Sequence, residues 1–182
     1  MQSDTVRAGE LRAETDGMIV VLIGVSGSGK TTIGTLLAQR TGTIFADADD
    51  YHPAANKQKM RAGIPLNDSD RQPWLETLNR LLRSWYQSGE GGVLACSALK
   101  QSYRETLASG MPAGALAFVW LDGSRQLLSE RLAHRHHEYM NPHLLESQLA
   151  TLEPPADALR VENDRPPGAV VEEILQHVSP AA

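Results

Sequence analysis

Short apolar runs alternate with amphipathic stretches along most of the 182-residue chain. The apolar runs predict buried strands at residues 18–23, 43–46, 93–96, 115–121 and 159–161. Between these runs, apolar residues recur at helical spacing, as Trp74, Leu78 and Leu82 do. This regular alternation of strand and helix predicts an α/β fold, a three-layer α/β/α sandwich around a five-stranded parallel sheet.

The first predicted strand runs directly into a glycine-rich loop and a helix. The loop is an unbroken GxxxxGK[ST] motif, and together with the next residue it comprises Gly24, Val25, Ser26, Gly27, Ser28, Gly29, Lys30, Thr31 and Thr32. Its N–H groups can turn inward as a nest for anions, and the helix N-terminus adds about half a positive charge. Lys30 is expected to reach the β- and γ-phosphates, and the Thr31 hydroxyl to ligate Mg²⁺. The loop therefore predicts binding of a nucleoside triphosphate.

The composition narrows the class of protein. A net charge of −5 argues against a general nucleic-acid binder. Cys96 is the only cysteine, which excludes an intramolecular disulfide, and we expect it to pack as a small core residue. No apolar run approaches the roughly 20 residues of a membrane span, and residues 1–17 lack the apolar core of a signal peptide. We expect a cytoplasmic protein with a loosely ordered extension at 1–17 and one domain at 18–182.

An acidic cluster follows the second predicted strand. It contains Asp47, Asp49 and Asp50. Ligands of parallel α/β sheets bind beyond the carboxyl ends of the strands, which is where this cluster falls. A solvated turn with a helix N-cap would use one aspartate rather than three. We therefore interpret the cluster as part of the functional site.

A polar, basic stretch runs from Arg131 to Met140. One interpretation is a zinc site built from four histidines, which are His134, His136, His137 and His143. No cysteine or regular ligand spacing supports that interpretation. We favour a mobile lid at about residues 133–142, with Arg131 and Arg135 reaching over the phosphates.

Several absences favour a small-molecule kinase over other phosphate-loop proteins. No Asn-Lys-x-Asp motif for reading guanine is present, and the third strand ends in Cys96-Ser97 rather than in aspartate. The chain resembles the gluconokinases over about residues 18–178. Beyond the loop, the resemblance is carried by Asp47-Ala48-Asp49, His52-Pro53, Asn56, Lys59-Met60, Gly63, Pro65-Leu66, Asp68, Asp70-Arg71, Pro73-Trp74-Leu75, Cys96-Ser97-Ala98-Leu99-Lys100, Tyr103-Arg104, Arg131-Leu132, Arg135, Leu144-Leu145, Ser147-Gln148 and Leu152-Glu153. The block from His52 to Leu75 separates this family from the similar shikimate kinases.

This resemblance implies a P-loop NTPase fold like that of the nucleoside monophosphate kinases, with strand order 2-3-1-4-5, and a homodimer. It implies transfer of the γ-phosphoryl group of ATP to the 6-hydroxyl of D-gluconate. Asp49 would orient or deprotonate that hydroxyl, and Asp47 would help to hold hydrated Mg²⁺. The remaining implied contacts are to gluconate from His52, Lys59, Arg71 and Lys100, and to the nucleotide from Asn163 and Arg165.

Other interpretations stay open at this point. The family usually carries Gly-His-aromatic-Met/Phe in its lid, whereas this chain carries His137-Glu138-Tyr139-Met140, which affects the expected lid geometry but not the phosphate chemistry. A kinase for another small polyol or sugar acid, such as shikimate, is the second enzymatic candidate. A catalytically idle nucleotide-binding or interaction protein is the third candidate, disfavoured by the intact Lys30, Thr31 and Asp49 and by the paired arginines.

Overall fold

A computed structural model of the protein describes residues 17–135 and 142–178. The predicted extension, apart from Gly17, lies outside the described residues. The central part of the predicted lid, residues 136–141, also lies outside them, together with His136 and His137 of the alternative zinc site. None of the described helices is long and apolar enough to cross a bilayer.

Five strands form one fully parallel sheet. They are β1 (Ile19–Ile23), β2 (Ile44–Asp47), β3 (Gly92–Ala95), β4 (Ala117–Asp122) and β5 (Leu159–Glu162). Their order across the sheet is β2-β3-β1-β4-β5. Both the predicted fold class and the strand order that the resemblance implied are therefore confirmed.

Helices cover both faces of the sheet. They are α1 (Lys30–Thr41), α2 (Ala54–Arg61), α3 (Asp68–Ser88), α4 (Gln101–Ala108), α5 (Arg125–Ala133), α6 (Pro142–Thr151) and α7 (Pro167–His177), and a 3₁₀ turn spans Ala48–Tyr51. The helix α3 begins at Asp68, because Asn67 and Asp70 form a capping box there. In this box each side chain accepts a hydrogen bond from the other residue's backbone N–H.

The core lies on both sides of β1, whose five residues are all buried. Ile19, Val21 and Ile23 pack in one cluster with α3 and α4, whereas Val20 and Leu22 pack in a second cluster with α1 and α7. A strand covered on both faces shows a continuous apolar run rather than alternation. This packing fixes the carboxyl end of β1, from which the glycine-rich loop departs.

Gly92 begins β3 where the sheet meets Trp85, and this contact yields a stability prediction. A Cβ on Gly92 would lie 2.6 Å from Cζ3 and 2.8 Å from Cδ2 of Trp85, which is 4% exposed. We expect Gly92→Ala to lower the free energy of unfolding by about 1–3 kcal/mol, because the ring has no room to move. Urea unfolding measures this change. The control is Gly168→Ala, where α7 leaves open space, and equal effects of the two variants would contradict the prediction.

Candidate active site

The glycine-rich loop joins β1 to α1 at the carboxyl edge of the sheet. Gly24 has a φ of 150°, and Gly29, the N-cap of α1, has a φ of 91°. A Cβ on Gly24 would lie 2.7 Å from the carbonyl oxygen of Leu121, and one on Gly29 would collide with the side chain of Asn163. The loop conformation therefore depends on glycine at both positions, as a nest for anions requires.

The Lys30 side chain folds back over this loop. Its Nζ donates to the carbonyl oxygens of Gly24 at 2.8 Å and Val25 at 3.1 Å. Burial lowers the pKa of Lys30, while the nearby Asp49 and Asp47 carboxylates act in the opposite direction. Lys30 and the two aspartates are therefore close enough for their charges to affect one another.

Asp47 links the loop to the acidic cluster at the end of β2. Its Oδ2 accepts a hydrogen bond from Thr31 Oγ1 at 3.1 Å, and its Oδ1 accepts one from the backbone N–H of Asp49 at 3.0 Å. As N-cap of the 3₁₀ turn, Asp47 holds Asp49 at a fixed offset from the strand end. A hydroxyl beside a carboxylate is an all-oxygen donor set of the kind that suits Mg²⁺ together with water and phosphate oxygens.

Asp49 carries a perturbed carboxyl group. Its pKa lies above the ordinary value of 3.8, first because the surrounding protein removes water from the carboxyl and second because the Asp47 carboxylate is near. The charge of Lys30 opposes both effects. Perturbed carboxyl groups in clefts are typical of functional sites.

Asn163, Arg131 and Arg135 bring polar and positively charged groups close to the glycine-rich loop, and some of their donors have no partner among the described residues. Asn163 is 4% exposed, and its Nδ2 donates to the carbonyl oxygen of Ser28 at 2.7 Å. Arg131 Nη2 donates to the carbonyl oxygen of Asn163. Within the described part of the chain, Arg131 Nη1 and Ser28 Oγ are buried without a hydrogen-bond partner. Arg135 is close enough to lower the pKa of Lys30. These groups fit the oxygens of a polyphosphate.

His52 anchors the block that follows the acidic cluster. Its ring stacks on Trp74 with a centroid distance of 4.2 Å and an interplanar angle of 14°. The Trp74 Nε1–H donates to the carbonyl oxygen of Ala48 at 2.7 Å. The stacked pair is thereby attached to the turn that carries Asp49, so that His52 lies beside the candidate acceptor site.

Two cations and one carboxylate surround Tyr103. Arg71 Nη1 donates to the Tyr103 hydroxyl at 3.2 Å, and the hydroxyl donates to Asp68 Oδ1 at 2.5 Å. Lys100 Nζ lies 3.2 Å from Asp68 Oδ2, and both cations lie over the Tyr103 ring, at 5.7 and 5.6 Å from its centroid. The structure therefore brings Arg71 and Lys100 together, as expected for residues that meet one anionic group.

Three other residues predicted to bind ligands have different surroundings. Lys59 Nζ pairs with both carboxylate oxygens of Asp70, at 2.8 and 2.9 Å. Arg165 pairs with Glu173 of α7. Thr32 is exposed in the first turn of α1. Their proposed ligand contacts stay predictions, and for Lys59 and Arg165 a ligand would have to compete with an existing carboxylate.

Gln148 of α6 contacts the loop in a way that the sequence did not predict. The backbone N–H of Ser26 donates to Gln148 Oε1 at 2.6 Å. Leu145 of the same helix packs against Val25. Gln148 is part of the family resemblance, but it lies 122 residues from Ser26 and no local pattern pairs the two. The contact shows that the helix following the predicted lid rests directly on the phosphate loop.

Comparison with known proteins decides between the candidate families. A family model described as an AAA domain matches residues 19–155. The gluconokinase of Gluconobacter oxydans (strain 621H) is 46% identical to this chain over 162 residues, covering 87% of this chain and 89% of that protein. The chain belongs to the gluconokinase family. Gluconokinase membership confirms the resemblance inferred from the sequence, and it makes the protein an ATP-dependent kinase.

Solved structures agree with the gluconokinase assignment. A gluconokinase from Sinorhizobium meliloti 1021 matches with a TM-score of 0.77 at 42% identity, covering 88% of this chain and 90% of that chain. The shikimate kinase of Aquifex aeolicus matches with a TM-score of 0.54 at 21% identity, covering 87% and 94%. The second match shows the shared fold alone.

Proposed function

We propose that the protein transfers the γ-phosphoryl group of ATP to the 6-hydroxyl of D-gluconate, giving 6-phospho-D-gluconate and ADP. The observation that carries this proposal is the proximity of Lys30 and Asp49, whose charges perturb each other and whose loop and turn are joined by the hydrogen bonds of Asp47. A phosphate-binding amine and an acceptor-orienting carboxylate have to meet at the transferred group in any such kinase. Membership of the gluconokinase family supplies the choice of gluconate as acceptor.

The nucleotide phosphates would lie on the loop from Gly24 to Thr32. Backbone N–H groups at the start of α1 and the Lys30 amine would neutralise them. The unpartnered Arg131 Nη1 and the Ser28 hydroxyl are suited to donate hydrogen bonds to phosphate oxygens. Arg135 would add charge from the lid side, and Asn163 and Arg165 would border the adenine.

Mg²⁺ would be held by Thr31 and Asp47, whose side chains are already hydrogen-bonded to each other. The ion would supply charge neutralisation on the phosphates. Through its second carboxylate oxygen Asp47 also holds the backbone of Asp49. Asp47 would thereby fix the positions of Mg²⁺ and of Asp49 relative to each other.

Asp49 would accept a hydrogen bond from the 6-hydroxyl of gluconate and align its oxygen with the γ-phosphorus. A loose transition state requires little proton removal before bond formation, so orientation is its first role and acceptance of the proton its second. The other end of gluconate is a carboxylate. Arg71 and Lys100 supply two cations for it, in competition with Asp68, and His52 and Lys59 complete the proposed contacts.

The proposal also includes a homodimer, which the family resemblance implies, and a location in the cytoplasm, which we expect from the composition of the sequence. No nucleic acid or membrane partner is part of it. The proposed chemistry at Lys30 and Asp49 depends neither on dimer formation nor on the location of the protein.

A panel of acceptors tests the proposed reaction. The protein is incubated with ATP and Mg²⁺ plus D-gluconate, shikimate, other sugar acids or neutral polyols, and ADP formation is followed. We expect gluconate to give by far the highest kcat/KM, and EDTA to abolish turnover. A better acceptor within the panel would reassign the substrate. ATP binding without any acceptor-dependent transfer would instead support an idle nucleotide-binding protein.

A further inference from the structure

Asn56 is a buried amide that joins two parts of the proposed gluconate site. It lies on α2 and is 4% exposed. Its Nδ2 is 2.8 Å from the carbonyl oxygen of Asp70 and 3.2 Å from Nδ1 of His52. The Asp70 oxygen can only accept a hydrogen bond, so the NH₂ end of the Asn56 amide must face it. The same NH₂ end therefore faces His52.

This orientation determines which nitrogen of His52 carries the proton. An NH₂ group offers two hydrogens and no acceptor, so His52 Nδ1 must receive a hydrogen bond through its lone pair. A neutral imidazole whose Nδ1 accepts carries its hydrogen on Nε2. The alternative tautomer would direct an Nδ1–H at the hydrogens of Asn56.

The surroundings also keep the ring uncharged. Burial, followed by the positive charges of Arg71 and Lys57, lowers the pKa of His52 to about 4. The carboxylate of Asp70, whose backbone carbonyl accepts from Asn56, is already paired with Lys59. His52 therefore does not change its charge in the neutral pH range, and its ring serves as a donor of fixed direction.

We propose that His52 is a fixed, uncharged hydrogen-bond donor that uses Nε2–H to bind an oxygen of the sugar acid, and that Asn56 is the positioning residue that fixes this tautomer. No described residue is a hydrogen-bond partner of Nε2, while Trp74 covers one face of the ring. His52 lies three residues after Asp49 and is close to Arg71. This inference rests on the proposed function, because it takes the acceptor to be a sugar acid.

A neutral donor adds a kind of selectivity that the nearby cations lack. Arg71 and Lys100 attract any carboxylate, whereas a single N–H in a fixed direction discriminates by the position of one oxygen. A site built to hydrogen-bond a substrate group strongly rejects analogues that lack it, since its buried polar atom is then left unpaired. We infer that His52 helps to distinguish gluconate from acids with other hydroxyl patterns.

Nitrogen NMR on the intact protein labelled with ¹⁵N-histidine tests the tautomer directly. The His52 signals are assigned by their loss in His52→Phe. In the wild type we expect an unprotonated Nδ1 and a protonated Nε2 throughout the neutral range, and no titration of the ring there. In Asn56→Ala we expect both tautomers and a pKa that moves towards the ordinary value of 6.5. A wild-type His52 protonated at Nδ1, or titrating near its ordinary pKa, would overturn the inference.

Kinetics test the contact with substrate. We expect Asn56→Ala to raise the KM for gluconate about tenfold, the effect of losing one oriented hydrogen bond of roughly 1.4 kcal/mol, with the KM for ATP unchanged. Because that variant also removes the hydrogen bond from Asn56 to the Asp70 carbonyl, His52→Phe provides a second test that keeps a ring against Trp74. Gln58→Ala, an exposed change on α2, is the control and should behave as the wild type.

The outcomes separate this inference from the proposed function. Wild-type protein that turns over gluconate, with unchanged gluconate KM in both Asn56→Ala and His52→Phe, would overturn the inference and leave the function standing. Wild-type protein without gluconate turnover would overturn the function together with the proposed sugar-acid contact. The NMR experiment would then still report whether Asn56 fixes the tautomer.

Discussion

Lys30→Ala is expected to reduce kcat by roughly 10²–10³-fold while the protein stays folded, because removing one preorganised charge from a phosphoryl-transfer site has an effect of this size. The Lys30 amine lies over the loop and is close enough to Asp49 for their charges to interact. Steady-state kinetics with ATP and gluconate measure the loss. Arg80→Ala, an exposed charge deletion on α3, is the matched control and should leave kcat unchanged.

The stability of the Lys30 variant is part of the same prediction. Burial lowers the pKa of Lys30 in the folded protein, so the unfolded chain binds a proton more readily at this residue. The charged amine therefore opposes folding at neutral pH, and its removal should not reduce the melting temperature. A variant that loses activity only because it unfolds, or one that keeps most of its kcat, would contradict the assigned role.

The glycine-rich loop could be predicted from the sequence because its requirements are local. Gly24 and Gly29 adopt backbone conformations that side chains would obstruct, and the buried strand before them gives a continuous apolar run. The observed ends of helices and strands differ from the predicted ends where a helix cap or the register of the sheet determines them. The third strand begins at Gly92, one residue before the predicted start, because Gly92 pairs with Ile19 of β1. Local patterns carry no information on such pairings.

Contacts between distant residues limited the prediction of the site. Lys59 was expected to meet gluconate, yet its ammonium pairs with Asp70, and the sequence offered no reason to prefer this partner to a ligand. Tyr103 and Asp68 belong to the family resemblance, but their hydrogen bond spans 35 residues and depends on how α4 packs on α3. Such pairings follow from tertiary packing, which local periodicity does not encode.

Asp49→Asn is expected to reduce kcat by about 10²–10⁴-fold, the range typical of a lost acid–base residue, with a much smaller change in the KM for ATP. The amide is nearly the same size as the carboxyl group but accepts the proton of the 6-hydroxyl poorly. Steady-state kinetics at saturating gluconate separate the two constants. Asp50→Asn, in the same turn and exposed like Asp49, is the matched control and should have a much smaller effect.

The pH dependence gives an independent measure of the Asp49 role. Its folded-state pKa is raised, so kcat/KM for the wild type should fall on the acid side at a pH above 3.8, and this limb should be absent from the residual activity of Asp49→Asn. A raised carboxyl pKa also means that the ionised group costs stability at neutral pH, a cost relieved as the pH falls through that pKa.

Asp49→Asn should therefore keep or raise the free energy of unfolding at neutral pH while it lowers kcat, since removing the charge also relieves the repulsion from Asp47. Thermal unfolding at neutral pH measures this change beside the kinetics. A residue placed for catalysis can lower the stability of the folded protein in this way. Neutralising an aspartate with a structural role would instead lower the free energy of unfolding. Equal losses in kcat and in ATP affinity would instead assign Asp49 to the metal or the nucleotide.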